Sequence, residues 1–225
     1  MKLPDKKNFL ENCSKALSEI YDTLNELKEL DIKDCESKKT VLVIVDVING
    51  FVREGALKSE RIESIIPEIA CLSKACDALG IEKLAFCDYH TQESPEFDAY
   101  PPHCLAGTFE AEIVDEIKNI GGYKLIPKNS TNGFLEEAFQ EWLEQNIDKD
   151  TFIITGDCTD ICIQQFAITL KTWFNMKNRK SRVIVPMNMV ETYDFGVHNG
   201  DLVNTMALYN MMINGVEVVK KCRPA

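Results

Sequence analysis

Cys162 is a candidate nucleophile in this sequence of 225 residues. It follows the apolar run 151–155 by a few residues, and Thr159 or Asp160 can cap a helix that begins at this point. A helix N-terminus favours an anion and can lower the pKa of a thiol, so the position suits a thiolate nucleophile at neutral pH. Packing of the thiol among apolar neighbours in the core is the alternative interpretation.

Asp46 and Lys128 end two other apolar runs and could converge on that thiol. A carboxylate at the end of the strand pattern 40–47, which is otherwise all apolar, is costly to bury unless it is paired or used. Together with Cys162, the carboxylate could accept the thiol proton, the lysine could hold charge on the substrate, and backbone amides at the helix start could form an oxyanion hole. The alternatives are a loop cap or an ion pair for Asp46 and a solvated surface position for Lys128.

Asp88, His90 and His103 could hold a metal ion. Asp88 and His90 lie two residues apart, which places both side chains on one side of an extended segment. His103 ends the rigid segment 100–103 and could return its imidazole to the same point. Two imidazoles and one carboxylate suit a divalent metal, with Zn²⁺ expected and Fe²⁺ or Mn²⁺ as alternatives. Exposed or core histidines are the competing interpretation, and Cys104 is either a further ligand or a buried apolar residue.

These side chains need a scaffold, and the hydrophobic pattern predicts one in which strands alternate with helices. The strand patterns lie at 40–47, 83–87, 124–127, 151–155, 182–186 and 216–219. The helical patterns between them lie at 62–79, 109–120, 134–146, 160–175 and 202–214. The alternation predicts a single-domain α/β fold with an open, mostly parallel six-stranded sheet and helices on both faces. Ligands of such sheets bind at the carboxyl ends of the strands, where the candidate side chains lie.

The first 39 residues have a different pattern from the rest. Apolar residues recur every three or four positions over 5–31, which predicts a helix or a pair of helices, and the polar stretch 33–39 predicts a link. We therefore divide the chain into an N-terminal helical arm, 1–39, and a main domain, 40–225. The Leu- and Glu-rich arm and the Met-rich helical pattern near the end predict a homo-oligomer, either a dimer or a tetramer.

Composition limits the partners and the compartment. With 25 Lys and Arg against 36 Asp and Glu, the net charge is −11, which argues against nucleic acid and anionic membranes as partners. The first residues have no signal-peptide core, and nine cysteines are an odd number, so we expect a reducing cytoplasm in which most thiols are buried apolar residues. The sequence has neither GxGxxG nor GxxxxGK[ST], so a nucleotide site has no support.

Four segments, taken in order, resemble the isochorismatase-like cysteine hydrolase family, and within it the nicotinamidase branch. They are VDVINGFVREGAL, DYH followed by YPPHCLAGTFEAE, KNSTNGF, and GDCTDICI. The resemblance covers about residues 40–220. It implies an amidohydrolase that acts on a small amide through a thioester, with nicotinamide as the best substrate. The alternatives are another small amide, carbamoyl or ureido compound, or a non-catalytic assembly module.

Carried over residue by residue, the resemblance implies two sets of functional side chains. The catalytic set is Asp46 as base, Lys128 as electrostatic partner and Cys162 as nucleophile. The metal ligands are Asp88, His90 and His103.

The resemblance also implies how the substrate is held. A cis peptide bond between Asp157 and Cys158 helps to shape an oxyanion hole, whose donors are the backbone amides of Cys158 and Cys162. Phe51 and Tyr100 match the aromatic positions that flank the substrate ring, and the tyrosine replaces a tryptophan.

The sequence departs from the family pattern in three places. Ile48 and Gly50 stand where the family has Gln and Asp, and the segment 91–102 is shorter than in nicotinamidases and lacks their internal histidine. These changes are expected where the substrate lies, so they leave the identity of the amide open. His198 follows the fifth predicted strand, and it either reaches the mouth of the pocket or stabilises its loop.

Overall fold

Residues 2–224, which the computed structural model describes, are organised around a seven-stranded parallel sheet. The strands are β1 (Glu29–Asp31), β2 (Thr40–Val45), β3 (Glu82–Asp88), β4 (Tyr123–Lys128), β5 (Thr151–Asp157), β6 (Arg182–Pro186), β7 (Val190–Glu191), β8 (Glu217–Val219) and β9 (Lys221–Arg223). The main sheet has the order β4-β3-β2-β5-β6-β8, and β7 pairs with the end of β5. All six predicted strands and their parallel arrangement are therefore confirmed, and the two-residue strand β7 is an addition.

Helices cover both faces of this sheet. They are α1 (Lys6–Asn25), α2 (Asn49–Val52), α3 (Glu60–Glu63), α4 (Ile66–Leu79), α5 (Asp115–Lys118), α6 (Glu137–Gln145), α7 (Gln164–Met176) and α8 (Gly200–Ile213). Alternate residues of β2 enter opposite hydrophobic clusters: Leu42 and Ile44 pack with α4, whereas Val41 and Val43 pack with α6 and α7. Burial on both faces explains why this strand is an unbroken apolar run. Within residues 2–224, no helix combines the length and the apolar character needed to cross a membrane.

The predicted helix at 109–120 is wrong. The structure forms a short 3₁₀ turn and the one-turn helix α5 there, with extended backbone between them. In this stretch the carbonyl of Glu112 accepts a hydrogen bond from the N–H of Asn49 at 2.9 Å, and the N–H of Val114 donates to the carbonyl of Val47 at 3.2 Å. These backbone groups bond to the segment that follows β2, so they are not available for a continuous helix.

The N-terminal helix is shorter than the pattern over 5–31 predicts. Helix α1 ends at Asn25, and β1 then pairs with β9 in a separate two-stranded parallel sheet, where Leu30 lies opposite Cys222. The ammonium of Lys220 also donates to the carbonyl of Asn25 at 2.8 Å. The N-terminal segment is thus attached to the last strand, while the division into an arm and a main domain at residue 39 stays a prediction.

Candidate active site

The carboxyl ends of four adjacent strands place four titratable side chains at one edge of the sheet. Lys128 ends β4, Asp88 ends β3, Asp46 directly follows β2, and Asp157 ends β5. In the strand register, Asp88 lies opposite Lys128. Because β4, β3, β2 and β5 are consecutive neighbours, residues that are far apart in sequence meet at this edge.

Lys128 is the centre of the buried cluster that results. Its Nζ lies 2.8 Å from Oδ2 of Asp46 and 3.7 Å from Sγ of Cys162, and it also donates to a carboxylate oxygen of Asp88. The other oxygen of Asp46 accepts a hydrogen bond from the N–H of Asp88 at 2.9 Å. The exposed fraction of each of these side chains is 6% or less. The structure thus brings together Asp46, Lys128 and Cys162, as their positions after the strands suggested.

The backbone around Asp46 is constrained by its neighbour on β5. Asp46 has a φ of +56°, a left-handed conformation that Asp tolerates better than most residues. Gly156 has a φ of +114°, and a Cβ at that position would lie 1.9 Å from the carbonyl oxygen of Val45. Only glycine allows β5 to approach the end of β2 this closely, and the approach helps to fix Asp46.

Burial and charge set the protonation of the cluster. Burial raises the pKa of Asp46 to about 7, with the charge of Asp88 adding to the shift and Lys128 opposing it. Burial opposes ionisation of Lys128, but the charges of Asp46 and Asp88 outweigh it and raise the pKa of the lysine, which stays charged. For Asp88, burial is likewise outweighed by Lys128 and the two nearby imidazoles, which hold its pKa below the usual range.

Cys162 differs from the expectation of a free thiolate at a helix start. The thiol lies in a turn of π-helix, Thr159–Ile163, that leads into α7. Burial raises its pKa well above the ordinary value, and the charge of Lys128 opposes the shift only in part. The thiol is therefore protonated at rest, and it interacts with the carboxylate of Asp46, a base at the right place to take its proton.

A second group of side chains adjoins the cluster through Asp88. One donor atom from each of Asp88, His90, Glu96 and His103 lies within 4.8 Å of the others. Nε2 of His90 is 3.4 Å from one oxygen of Asp88, and Nε2 of His103 is 3.7 Å from the other. The three predicted ligands thus lie together. Sequence reasoning missed Glu96, although an acidic residue six positions after His90 in the connecting segment was a usable signal.

Contacts at Nδ1 fix the orientation of the imidazoles of His90 and His103. Nδ1 of His90 is 3.2 Å from Oδ1 of Asn129, and Nδ1 of His103 donates to the carbonyl of Pro101 at 2.8 Å. Such contacts fix the ring and leave Nε2 with a lone pair for a cation. Nε2 of His90 is buried without a hydrogen-bond partner, so the donor set fits a divalent metal.

A narrow cavity of about 30 Å³ opens onto both groups. The predicted site residues that line it are Phe51, Asp88, Tyr100, His103, Cys158 and Cys162. Asp157, named above only for its peptide bond to Cys158, lines it as well, and the lining residues that sequence reasoning did not single out are Leu57, Glu96, Thr131, Ile161 and Tyr193. The ring centroids of Phe51 and Tyr100 lie 5.8 and 6.2 Å from that of His103, so aromatic surface surrounds the imidazole.

The peptide bond between Asp157 and Cys158 is cis, as the resemblance implied. It lies directly before the π-helical turn, and Cys158 and Cys162 both face the cavity. The role of their backbone N–H groups as donors to an oxyanion stays a prediction.

Ile48 and Gly50 lie elsewhere than expected. Neither residue is among the described residues that line the cavity. Ile48 is fully buried in the core, and its backbone forms a β-bridge with that of Ile113. A Cβ on Gly50 would lie 2.5 Å from Sγ of Cys104, so the glycine makes room for that thiol. Cys104 is thus a buried packing residue, outside the group of metal donors.

The fold and this site define an α/β protein with a buried cluster of Cys, Lys and Asp side chains at the carboxyl edge of a parallel sheet. A family model described as the isochorismatase domain matches residues 40–213. The chain belongs to the isochorismatase family.

Known proteins similar to this chain agree with that assignment. Nicotinamidase 1 from Arabidopsis thaliana is 30% identical, over 80% of this chain and 85% of that protein. The structure of N-carbamoylsarcosine amidase from Thermoplasma acidophilum matches with a TM-score of 0.67 and 23% identity, over 80% of this chain and 95% of that one. A pyrazinamidase from Pyrococcus horikoshii, solved in complex with zinc, matches with a TM-score of 0.67 and 21% identity, over 80% and 98% of the two chains. The two structural matches show the fold alone.

Proposed function

We propose that this protein is a cysteine-dependent amidohydrolase that converts nicotinamide to nicotinate and ammonia. Family membership and similarity to a nicotinamidase support hydrolysis of an amide bond. The observation that carries the mechanism is the position of Cys162, which lines the cavity and whose Sγ lies 3.7 Å from the buried ammonium of Lys128. Asp46, at 2.8 Å from the same ammonium, completes the catalytic set.

The first half of the reaction forms a thioester. Asp46 accepts the proton of the Cys162 thiol while Sγ bonds to the amide carbon, and the charge that develops on the carbonyl oxygen is held by the backbone N–H groups of Cys158 and Cys162. Lys128 keeps the ion pair in place and offsets the negative charge nearby. Asp46 then gives the proton to the amide nitrogen, the C–N bond breaks, and ammonia leaves.

The second half restores the thiol. A water molecule gives a proton to Asp46 as its oxygen bonds to the thioester carbon, and the same backbone donors hold the oxyanion again. The C–S bond then breaks, Asp46 returns the proton to Sγ of Cys162, and the acid is released. A carboxylate with a pKa of about 7 suits both directions of transfer, because it is neither too weak a base nor too weak an acid near neutral pH.

Asp88, His90, Glu96 and His103 are proposed to hold a divalent metal, with zinc expected and iron or manganese as alternatives. The buried Nε2 of His90 without a partner and the anchored Nδ1 atoms support this assignment. When bound, the metal supplies a Lewis acid and a point of attachment that orients the substrate. Phe51 and Tyr100, on the wall of the same cavity, are proposed to hold the faces of the substrate ring.

Ammonia release from nicotinamide tests the proposal. The wild-type protein is expected to release ammonia and form nicotinate, and Cys162→Ala is expected to abolish turnover while it still binds nicotinamide in calorimetry. Cys71→Ala, at an exposed thiol, serves as the matched control and is expected to retain full activity. Undiminished turnover in Cys162→Ala would overturn the nucleophile assignment. A parallel screen of small amides and one N-carbamoyl compound identifies the substrate if nicotinamide is inert.

Assembly into a homo-oligomer also stays a proposal. Helix α1 exposes the apolar side chains of Phe9, Leu10 and Tyr21, with exposed fractions of 47%, 54% and 65%. A surface of this kind favours contact with another subunit. Sedimentation velocity at micromolar concentration is expected to show a species larger than one chain, and a purely monomeric result would contradict the proposal.

A further inference from the structure

Tyr193 and His198 form a stacked pair in the loop between β7 and α8. Their ring centroids are 4.1 Å apart, and the ring planes differ by only 7°. Nδ1 of His198 also lies 2.9 Å from the backbone carbonyl of Tyr193 and donates a hydrogen bond to it. The imidazole therefore holds both the ring and the backbone of the tyrosine.

The other nitrogen of the same imidazole reaches the nucleophile turn. Nε2 of His198 lies 2.9 Å from Oδ2 of Asp160, which is two residues before Cys162 in the π-helical turn. The second oxygen of Asp160 is buried without a hydrogen-bond partner. His198 thus links the loop to the turn that contains Cys162.

Tyr193 stands between two cavities. It lines the narrow cavity of about 30 Å³ that Cys162 also lines, and it lines a second, outer cavity of about 280 Å³. Leu57 and Tyr100 line both cavities as well. Three side chains therefore form a partition between the inner and the outer space. Because the inner cavity is so small, a slight shift of one of these side chains changes which molecules can enter.

The loop is attached to the rest of the protein independently of His198. The guanidinium of Arg61 donates to the carbonyl of Thr192 at 3.2 Å and to the carboxylate of Asp194 at 3.3 Å. These two residues flank Tyr193 in sequence. Loss of the imidazole is therefore expected to release the tyrosine ring while the backbone of the loop stays in place.

We propose that His198 is a positioning residue that holds Tyr193 as a partition in front of Cys162 and so restricts the site to small planar amides. The size restriction on amides rests on the proposed function, whereas the partition rests on the geometry alone. His198 touches none of the reacting atoms: its effect passes through the tyrosine ring and through Asp160.

Alkylation of the thiols tests the partition without any assumption about activity. Each variant is treated with iodoacetamide, which is small, or with N-phenylmaleimide, which is bulky, and the labelling of Cys162 is measured by peptide mass spectrometry. Labelling of the exposed Cys71 is the internal standard for the reactivity of each reagent. Labelling of the buried Cys87 reports general loosening of the core. The variants are His198→Ala, His198→Gln and Tyr193→Ala, with Val197→Ala as the control at a fully exposed position of the same loop.

In His198→Ala the rate of Cys162 labelling by the maleimide relative to iodoacetamide is expected to rise about tenfold, since the stacked pair and the hydrogen bond to Asp160 are lost. Tyr193→Ala is expected to give a rise of about the same size, because it removes the partition ring itself. His198→Gln can still donate to Asp160 and is expected to be intermediate, whereas Val197→Ala is expected to match the wild type. An unchanged ratio in both alanine variants, or a rise accompanied by labelling of Cys87, would overturn the partition.

Kinetics separate this inference from the proposed function. If nicotinamide is a substrate, kcat/KM for the bicyclic quinoline-3-carboxamide relative to nicotinamide is expected to rise about tenfold in His198→Ala, mainly through KM. If the wild type leaves nicotinamide intact, the proposed function fails, and the labelling ratio still decides the partition. Turnover of nicotinamide with no change in either ratio would uphold the function and refute the role of His198.

Discussion

Lys128 and Asp46 form an ion pair of 2.8 Å in which both side chains are completely buried. The same ammonium donates to Asp88, which belongs to the group of metal donors. One cation therefore contacts a carboxylate of the proposed catalytic set and a carboxylate of the proposed metal site. The arrangement couples the two groups, because loss of the Lys128 ammonium leaves Asp46 without its cation and removes one of the partners of Asp88.

Replacement of this lysine is expected to cost both stability and activity. Lys128→Met removes one partner of a buried ion pair, which lowers the free energy of unfolding by about 3–5 kcal/mol. It also removes the charge beside Cys162 and is expected to abolish ammonia release. Urea unfolding followed by circular dichroism, together with the ammonia assay, measures the two effects.

Lys83→Met is the matched control for this prediction. Lys83 is a buried lysine outside the site, and its Nζ pairs with Asp77 at 2.6 Å. Its replacement is expected to lower stability while kcat is retained. A Lys128→Met protein with the turnover of the wild type would contradict the catalytic role of the lysine.

Glu96 is expected to contribute to metal affinity. Its carboxylate lies 3.7 Å from Nε2 of His90 and belongs to the same donor group. Glu96→Gln keeps the size of the side chain but removes a negative charge, so zinc affinity is expected to fall by about tenfold or more. Competition with a fluorescent chelator measures the affinity, and elemental analysis of protein purified without chelator is expected to give about one metal per chain.

Asp98→Asn is the control for Glu96→Gln, because Asp98 is exposed in the same 3₁₀ turn and lies outside the donor group. It is expected to leave zinc affinity unchanged. Equal zinc affinities for the wild type and Glu96→Gln would show that the glutamate does not contribute to metal binding.

Local patterns predicted the main sheet because its central strands β2 and β5 are buried on both faces and are therefore rich in consecutive apolar residues. They failed where pairing depends on distant residues. The three-residue strands β1 and β9 join the two ends of the chain, and Glu29 and Lys221 in them give no strand pattern. At 109–120 the apolar spacing imitates a helix, but the backbone bonds to the segment after β2 instead, which no local pattern records.

The part of the candidate site that lies at strand ends or in recognisable motifs could be predicted from the sequence. Asp46, Asp88 and Lys128 follow strands, so a parallel sheet alone brings them together. Glu96 and Tyr193 were missed because they lie in loops whose paths depend on tertiary contacts. The consequence of burial for the thiol of Cys162 was also beyond the sequence, since its pKa depends on the surrounding structure rather than on its place at a helix start.

Gly50 and Cys104 are expected to be coupled in stability. A Cβ on Gly50 would lie 2.5 Å from Sγ of Cys104, so Gly50→Ala overpacks the core and is expected to destabilise the protein by about 1–3 kcal/mol. Cys104→Ala removes the sulfur and is expected to restore part of this loss in the double variant. Thermal unfolding of the two single variants and the double variant measures the coupling. Strictly additive effects would show that the glycine is not there to make room for the thiol.

The pH dependence of thiol alkylation is expected to separate the buried cysteines from the exposed one. Burial raises the pKa of Cys76 and of Cys222 to about 12, so at about pH 8 both thiols are almost entirely protonated. Because the thiolate fraction rises tenfold per pH unit below the pKa, labelling of both is expected to increase about a hundredfold between about pH 8 and pH 10 in the folded protein. At the lower pH, iodoacetamide is expected to modify the exposed Cys71 far faster, and unfolding in urea should equalise the three rates. Labelling of Cys76 as fast as that of Cys71 in the folded protein at about pH 8 would contradict this account of the core.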